Sequence, residues 1–413
     1  MISSSPAAGG AASPIDSTAA WLRLVVAMAI STIGGVGMWS VMVALPAIQA
    51  EFGISRADAS LPFTMVMFGF AGGGVLMGRL ADRFGIAVPL AVGTLSMSCG
   101  YLATGWSSNL WQVAAAHALI GIGCSASFGP LMTDISHWFE RRRGIAVALA
   151  AVGNYTSGTI WPPFVQHFIA SSGWRATHIG IGLFCLVTML PLVFAMRRRI
   201  EDHHRDASSA AAARRQAELP FSPMTLQLLL CIAGVGCCVA MSMPQVHIVA
   251  YCGDLGYGVA RGAEMLSMML GFGIISRIAS GFVADRIGGV RTLLLGSVLQ
   301  GVALFLYLWF DGLVSLYVIS ALFGLFQGGI VPSYAIIIRE YFSPREAGTR
   351  LGVVLMATLI GMALGGWMSG LIFDLTGSYR AAFFNGIAWN LLNVSIMTWI
   401  LHRSRGQAAL ARA

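Results

Sequence analysis

The octapeptide GRLADRFG at 78–85 returns, weakened, as GFVADRIG at 281–288, an interval of 281 − 78 = 203 residues. The same interval carries Trp138-Phe139 onto Tyr341-Phe342 and Gly158 onto Gly361. An interval of 205 carries GWRA at 173–176 onto SYRA at 378–381. Four landmarks in one order at nearly one spacing mean that the chain is two copies of one half. Any fold proposed for the first half must therefore serve the second.

Each copy lies in apolar sequence. Hydrophobic residues make up 57% of the chain and charged residues 10%, where soluble domains are about a quarter charged. Mean hydropathy is +0.76. Apolar stretches of about 20 residues can each cross a hydrocarbon core of roughly 30 Å. Twelve are readable, at 22–47, 61–76, 86–104, 110–133, 144–170, 178–196, 225–251, 263–283, 290–310, 313–338, 351–373 and 381–401. Six precede and six follow the one long polar gap, 197–223. The expected fold is an all-α membrane protein: two pseudo-symmetric bundles of six helices, at 21–197 and 224–402, joined by a cytoplasmic linker at 198–223.

Arginine sets the orientation. The chain has no lysine, so all 25 basic residues are arginines. With the amino terminus in the cytoplasm, the outer loops hold Arg56, Arg175, Arg261 and Arg380, and Arg277 lies inside a span. The other 20 (25 − 4 − 1) face inward, dominated by Arg141-Arg142-Arg143 and Arg197-Arg198-Arg199. So strong a bias is the positive-inside rule, and it places both termini in the cytoplasm. The net charge of +8 then follows from topology and calls for no nucleic-acid partner.

Residues 1–20, rich in Ser, Ala, Gly and Pro, read as a disordered cytoplasmic tail and not as a cleavable signal; 403–413 form a second tail. Seven cysteines, nearly all in apolar runs, read as small filler, with no disulfide and no metal. There is no cofactor motif, no nucleophile–base pair and no phosphate loop, so an enzyme is not expected.

The octapeptide, lying after the second and again after the eighth span, resembles the signature of the major facilitator superfamily, and the resemblance runs from about 22 to 402. It implies secondary transport by alternating access. Gly78 is expected to permit close helix contact and Gly85 a tight turn. Asp82 is expected to sit near helix starts, where a carboxylate is favoured, and Arg83 to pair with Asp134. With Asp285 and Arg286 of the second copy, these residues form the expected cytoplasmic latch. A narrower resemblance, to the monocarboxylate transporters and their bacterial relatives including the oxalate–formate antiporter group, rests on PQVHIVAY at 244–251, Gly256, GIISR at 273–277 and Gly281. Pro130, WFERRRGIA at 138–146 and the stretch 47–60 add to it. The chain departs from that pattern twice. Gly273 stands where mammalian-type members carry an acidic residue one turn before the arginine, and the span-11 lysine of the oxalate–formate type is absent. The first departure puts an Asp–Arg proton relay in doubt; the second argues against a two-cation dicarboxylate site.

Arg277 is the leading candidate. It stands eight residues before Asp285, about 12 Å deeper along a helix, and an arginine at such depth costs at least about 2.5–3.5 kcal/mol. It therefore needs a watery cavity, an anion, or a carbonyl or polar side chain from another span. Its counterpart, 277 − 203 = 74, is Gly74, so the fold does not demand a charge there. A fixed planar fork of donors suits a carboxylate. His247 is either a satisfied hydrogen-bonder or a proton carrier, since histidine titrates near neutrality. Tyr334, Asn154 and Tyr155 are candidate polar contacts to the substrate, with packing as the alternative for each. Trp39, Phe128 and Trp161 are candidate apolar walls, and Pro162-Pro163 a kink in span 5.

The expected function is a carrier of a small organic anion, a monocarboxylate foremost, across the bacterial inner membrane, coupled to a proton or a counter-anion. The lipid bilayer is its other partner, and it is expected to be monomeric. Drug or metabolite efflux on the same fold is the alternative, although the spans lack the buried carboxylates that cationic drugs need. A transport-dead sensor is a third, although no long soluble segment is present.

Overall fold

The computed structural model describes residues 15–198, 222–342 and 344–410; residues 1–14 of the expected tail, 199–221 of the expected linker and 411–413 lie outside the described residues. Among the described residues every regular element is a helix. Among the described residues ten stretches are long and apolar enough to cross a membrane. One of them, Ile145–Ala195, has 51 residues, about 76 Å of helix and so room for two passes through a core of about 30 Å. It lies within a helix Arg143–Ala195 that breaks at Gly173, where φ is +80°. A further helix, Tyr379–Leu410, closes the chain and is not one of the ten; with two passes in Ile145–Ala195 the count among the described residues is eleven against the twelve expected, and this helix takes the place of the twelfth.

Span 1 consists of Thr18–Gly34 and Val36–Phe52. The short helix Arg56–Ala59 leads into span 2, Leu61–Phe84. Span 3 is Ala87–Gly105, and span 4 is Leu110–Ser125 with Gly129–Trp138. Spans 5 and 6 are the two arms of Arg143–Ala195 on either side of Gly173. Span 7 is Pro223–Asp254, span 8 Val259–Ile287 and span 9 Gly289–Trp309. Span 10 consists of Leu313–Gln327 and Ile330–Tyr341, span 11 is Pro344–Thr376 and span 12 is Tyr379–Leu410. Helix starts are capped as their sequences dictate: Ser17, Asn109 and Ser222 accept backbone N–H bonds from Ala20, Gln112 and Thr225, a device worth roughly 1 kcal/mol each.

The first helix begins inside the stretch expected to be disordered. Asp16 explains this: its N–H donates to the Trp138 carbonyl at 3.0 Å, and its carboxylate accepts from the Arg141 N–H at 3.1 Å. The helix dihedrals run unbroken through Pro162-Pro163, and the one residue of this stretch with non-helical dihedrals is the positive-φ Gly173.

Close approach of helices rests on glycines, as expected where lipid removes the hydrophobic drive and packing decides. A Cβ on Gly121 would strike the Val66 carbonyl of span 2, and one on Gly324 would strike the Met269 carbonyl of span 8. Both pairs are related by 203 residues (324 − 121 and 269 − 66). The two turns that close the octapeptides also match, with φ +82° at Gly85 and +83° at Gly288. Large apolar side chains such as Phe168, Phe282 and Val314 are exposed and suit a lipid-facing surface.

Spans before and after residues 199–221 meet along two seams. In one, span 5 packs on span 8, where Gly158 lies against Leu270 and the Ser267 hydroxyl donates to the Thr159 carbonyl. In the other, span 2 packs on span 11, where Thr64 donates to the Ala363 carbonyl at 3.3 Å and Gly370 meets the Arg56 and Ala57 backbone. One end of the bundle holds both octapeptides and is called the motif end here; the Glu51–Arg56 turn lies at the far end.

Candidate functional site

Arg277 lies 287 − 277 = 10 residues from the end of span 8, about 15 Å along the helix and so about halfway through a core of roughly 30 Å. It is half-buried on the seam with span 5. Its guanidinium carbon lies 4.1 Å from the centre of the Tyr155 ring. Its Nη1 donates to the Ala151 carbonyl at 3.2 Å, and its Nε approaches the Gly328 carbonyl at 3.5 Å. Gly328 belongs to the break in span 10, so spans 5, 8 and 10 all reach this cation. Among the described residues no carboxylate forms an ion pair with it. Two carbonyl dipoles, one at the limit of hydrogen bonding, and a ring face hold the arginine without cancelling its charge.

Gly273 acquires a reason here. A Cβ at this position would land on the Tyr155 ring, so Tyr155 fills the space that an acidic side chain one turn before Arg277 would need. Tyr155 thus both excludes the acid and presents its ring to the cation. Asn154, its neighbour, accepts a bond from the Trp39 indole at its backbone carbonyl, 3.1 Å away, and is nearly buried. Trp39 also packs on Gly158, which brings span 1 to the same seam.

Other candidates lie elsewhere. Tyr334 is fully buried among spans 7, 10 and 12; its oxygen accepts from Asn393 Nδ2 at 2.9 Å, and its hydroxyl points to Cys237 Sγ at 3.5 Å. Those are bundle-internal ties, and no hydrogen bond joins it to Arg277. Trp161 donates to the Thr32 carbonyl at 3.0 Å and meets Phe184. Phe128 packs on Phe70.

At the motif end the expected pairing of Arg83 with Asp134 is not what forms. Asp134 takes a two-pronged bond from Arg23, with Nε to Oδ2 at 2.8 Å and Nη2 to Oδ1 at 2.9 Å, and Arg23 also reaches the Met196 carbonyl at 3.0 Å and stacks on Trp138. The reason is geometric: Arg23 of span 1 lies buried beside span 4, whereas the exposed Arg83 turns its guanidinium to Phe84, 5.1 Å away. Gly85 makes the expected turn, but no atom of another helix among the described residues lies within 4 Å of where a Gly78 Cβ would be. It does not mediate close contact here. Asp82, Asp285 and Arg286 are exposed.

His247 of span 7 is fully buried and bonded at both ring nitrogens, with Nε2 2.8 Å from the Gly366 carbonyl and Nδ1 3.3 Å from the Tyr379 hydroxyl. Tyr379 leads to a residue that sequence reasoning passed over as a loop charge. Arg56 donates from Nη1 to the Tyr379 oxygen at 2.8 Å and from Nη2 to Asp254 Oδ1 at 3.1 Å. The N–H groups of Arg56 and Ala57 both donate to the Asp374 carboxylate, at 2.8 and 2.7 Å. Its only sequence signal was Ser55, a helix cap immediately before a lone outer arginine.

A multi-pass helical bundle with a repeat, paired seams and a cation midway across that pairs with no carboxylate among the described residues is the architecture of a membrane carrier. The sequence profile of the Major Facilitator Superfamily matches residues 27–315 and 265–413, and the chain belongs to that family. It is 27% identical over 353 residues to monocarboxylate transporter 13 of Bos taurus, covering 83% of this chain and 79% of that one. It is 23% identical to the agnestins efflux protein AgnL12 of Paecilomyces divaricatus, covering 83% of this chain and 78% of that one. In fold it is similar to a bacterial homologue of the human lysosomal transporter Spinster, crystallised inward-facing and unoccupied, with a TM-score of 0.71, 15% identity and coverage of 94% and 98%.

Proposed function

We propose that this secondary transporter carries a small organic anion, foremost a monocarboxylate, and that Arg277 with Tyr155 is where the anion binds. The observation that carries the reading is a cation about midway through the bundle, reached by both halves, with no carboxylate paired to it among the described residues. A charge in that position is costly until an anion meets it, and a planar fork matches a carboxylate in two bonds. Similarity to a monocarboxylate transporter supports the substrate class. The arginine bias supports a motif end in the cytoplasm and a far end outside, in a bacterial inner membrane. His247 is the residue we assign to proton coupling, with counter-anion exchange as the other mode.

The same geometry serves efflux of an acidic metabolite, and similarity to a fungal efflux protein favours that second reading. Uptake of a labelled carboxylate panel into proteoliposomes, with and without a pH gradient, separates them. Saturable carboxylate uptake that rises with an inward proton gradient is expected. Transport indifferent to every carboxylate would overturn the anion assignment.

A further inference from the structure

We infer that Arg56 is the gate residue of the far end, and that its clamp holds only while His247 is neutral. The inference rests on the reading of the chain as an alternating-access carrier, and not on the identity of its substrate.

The clamp is a single residue on three elements. Arg56 precedes the 199–221 segment in the chain, and its partners all follow it: Asp254 ends span 7, Asp374 lies near the end of span 11, and Tyr379 begins span 12. Asp374 caps the exposed N–H groups of the short helix Arg56–Ala59 from the other side of the seam. The guanidinium also lies 4.8 Å above the Phe373 ring. Opening the far end must break all of these contacts together, because they join opposite halves.

With His247 neutral, the hydrogen bonds form one chain that runs in a single direction. The Gly366 carbonyl can only accept, so Nε2 of His247 carries a proton. The arginine can only donate, so the Tyr379 oxygen accepts from Arg56; with His247 neutral and its one proton on Nε2, the Tyr379 O–H is the donor to a bare Nδ1. The order is Arg56 to Tyr379 to His247 to Gly366, with His247 neutral. Binding a proton at Nδ1 sets donor against donor across the 3.3 Å contact. It would push the tyrosine hydroxyl off its acceptor and put a second cation next to the Arg56 clamp.

The groups around the imidazole support this. Arg56, from the short helix before span 2, and Asp374, from span 11, bring opposite charges to its surroundings. Asp374 already accepts two N–H bonds and Asp254 one from Arg56. Span 12 brings Tyr379, and span 7 itself brings Tyr251, 5.2 Å from the Tyr379 ring. Span 8 brings Met265 to Cys252, its Arg261 and Glu264 being paired with each other and Glu264 with Tyr317. Asp311, from the turn between spans 9 and 10, acts on Tyr251. By linkage, acid on the far side favours the open gate and closure expels the proton from Nδ1.

Hydrogen–deuterium exchange tests this on the full-length protein in lipid nanodiscs with no substrate added. Exchange at 54–60 and 370–380 is followed at about pH 5.5 and about pH 8, either side of the ordinary histidine range, and corrected for the intrinsic pH dependence of exchange. In the wild type these segments should exchange at least about fivefold faster at the lower pH, as the clamp opens. His247→Gln, which still offers one donor and one acceptor, should stay protected at both. Tyr379→Phe keeps the ring and removes the relay, so it too should lose the pH response, and it carries the test should His247→Gln fail to fold. Arg56→Gln should exchange fast at both values. Wild-type protection that ignores pH, or a pH response that survives in the folded His247 or Tyr379 variant, overturns the inference. Failed carboxylate uptake with this exchange pattern intact would sink the substrate reading alone.

Discussion

The two halves of this transporter share a skeleton and divide the chemistry. Positions 203 residues apart hold the same backbone approach, as Gly121 on Val66 and Gly324 on Met269 show, and the same left-handed turn at Gly85 and Gly288. The breaks in spans 4 and 10 fall at nearly matching places, 126–128 and 328–329, overlapping where 126 + 203 = 329. The side chains then diverge. Arg277 and His247 of the second half stand opposite Gly74 and Ala44 of the first (277 − 203 and 247 − 203). Span 1 breaks at Gly34-Gly35, whereas span 7 runs straight through the matching Cys237-Cys238. The second half therefore carries Arg277 and His247, and the first supplies Tyr155, Arg56 and a hinge-like break in span 1. What is duplicated is what packing requires; what is not duplicated is where function is to be sought.

The largest expected effect tests the shared skeleton. Gly121→Val and Gly324→Val should each eliminate folded protein, because the new side chain meets a backbone carbonyl that cannot move without parting two helices. Fluorescence-detected size-exclusion chromatography would show a loss of the monodisperse peak in both. If one half tolerated the change, the skeletons would not be equivalent.

Next comes the ion pair. Arg23 and Asp134 correspond to Leu226 and Ile337 (23 + 203 and 134 + 203), both buried. Asp134→Asn alone should destabilise the protein by on the order of 3 kcal/mol, since it leaves a largely buried cation without its partner. The double variant Arg23→Leu/Asp134→Ile, which copies the second half, should recover most of that loss in a thermal melt, because a well-packed apolar pair can replace a buried ion pair. No recovery would mean that the pair is specific to the first half.

A smaller effect is expected at Tyr334, whose counterpart is Leu131 (334 − 203). Tyr334→Phe removes a hydroxyl bonded to Asn393 and should cost about 1 kcal/mol. Transport should continue, and a loss of substrate affinity in the folded variant would return Tyr334 to the binding site.

The repeat, the apolar spans and the octapeptide turns were legible because each is a local or periodic property: a spacing, a length, a glycine where φ must be positive. The lone mid-span arginine was legible for a related reason, as a charge in hydrocarbon needs an explanation wherever it points. Pairings were not legible. Asp134 lies 111 residues from Arg23, and nothing in spacing could rank that partner above Arg83. The Arg56 clamp draws on three spans at once, with partners about 200 to 320 residues away. The role of Gly273 was half visible: the missing acid could be seen, but the Tyr155 ring that takes its place could not.

That Arg277 grips a carboxylate is tested most directly by Arg277→Lys. The substitution keeps a cation and removes the planar fork, and Gly74 shows that the fold needs no cation at this place in the repeat. The measurement is binding affinity for whichever labelled carboxylate the uptake panel identifies, in purified, folded variant and wild type. Binding at least about tenfold weaker, or about 1.4 kcal/mol, is expected. Wild-type affinity in the folded lysine variant would make Arg277 a structural residue and contradict the assignment.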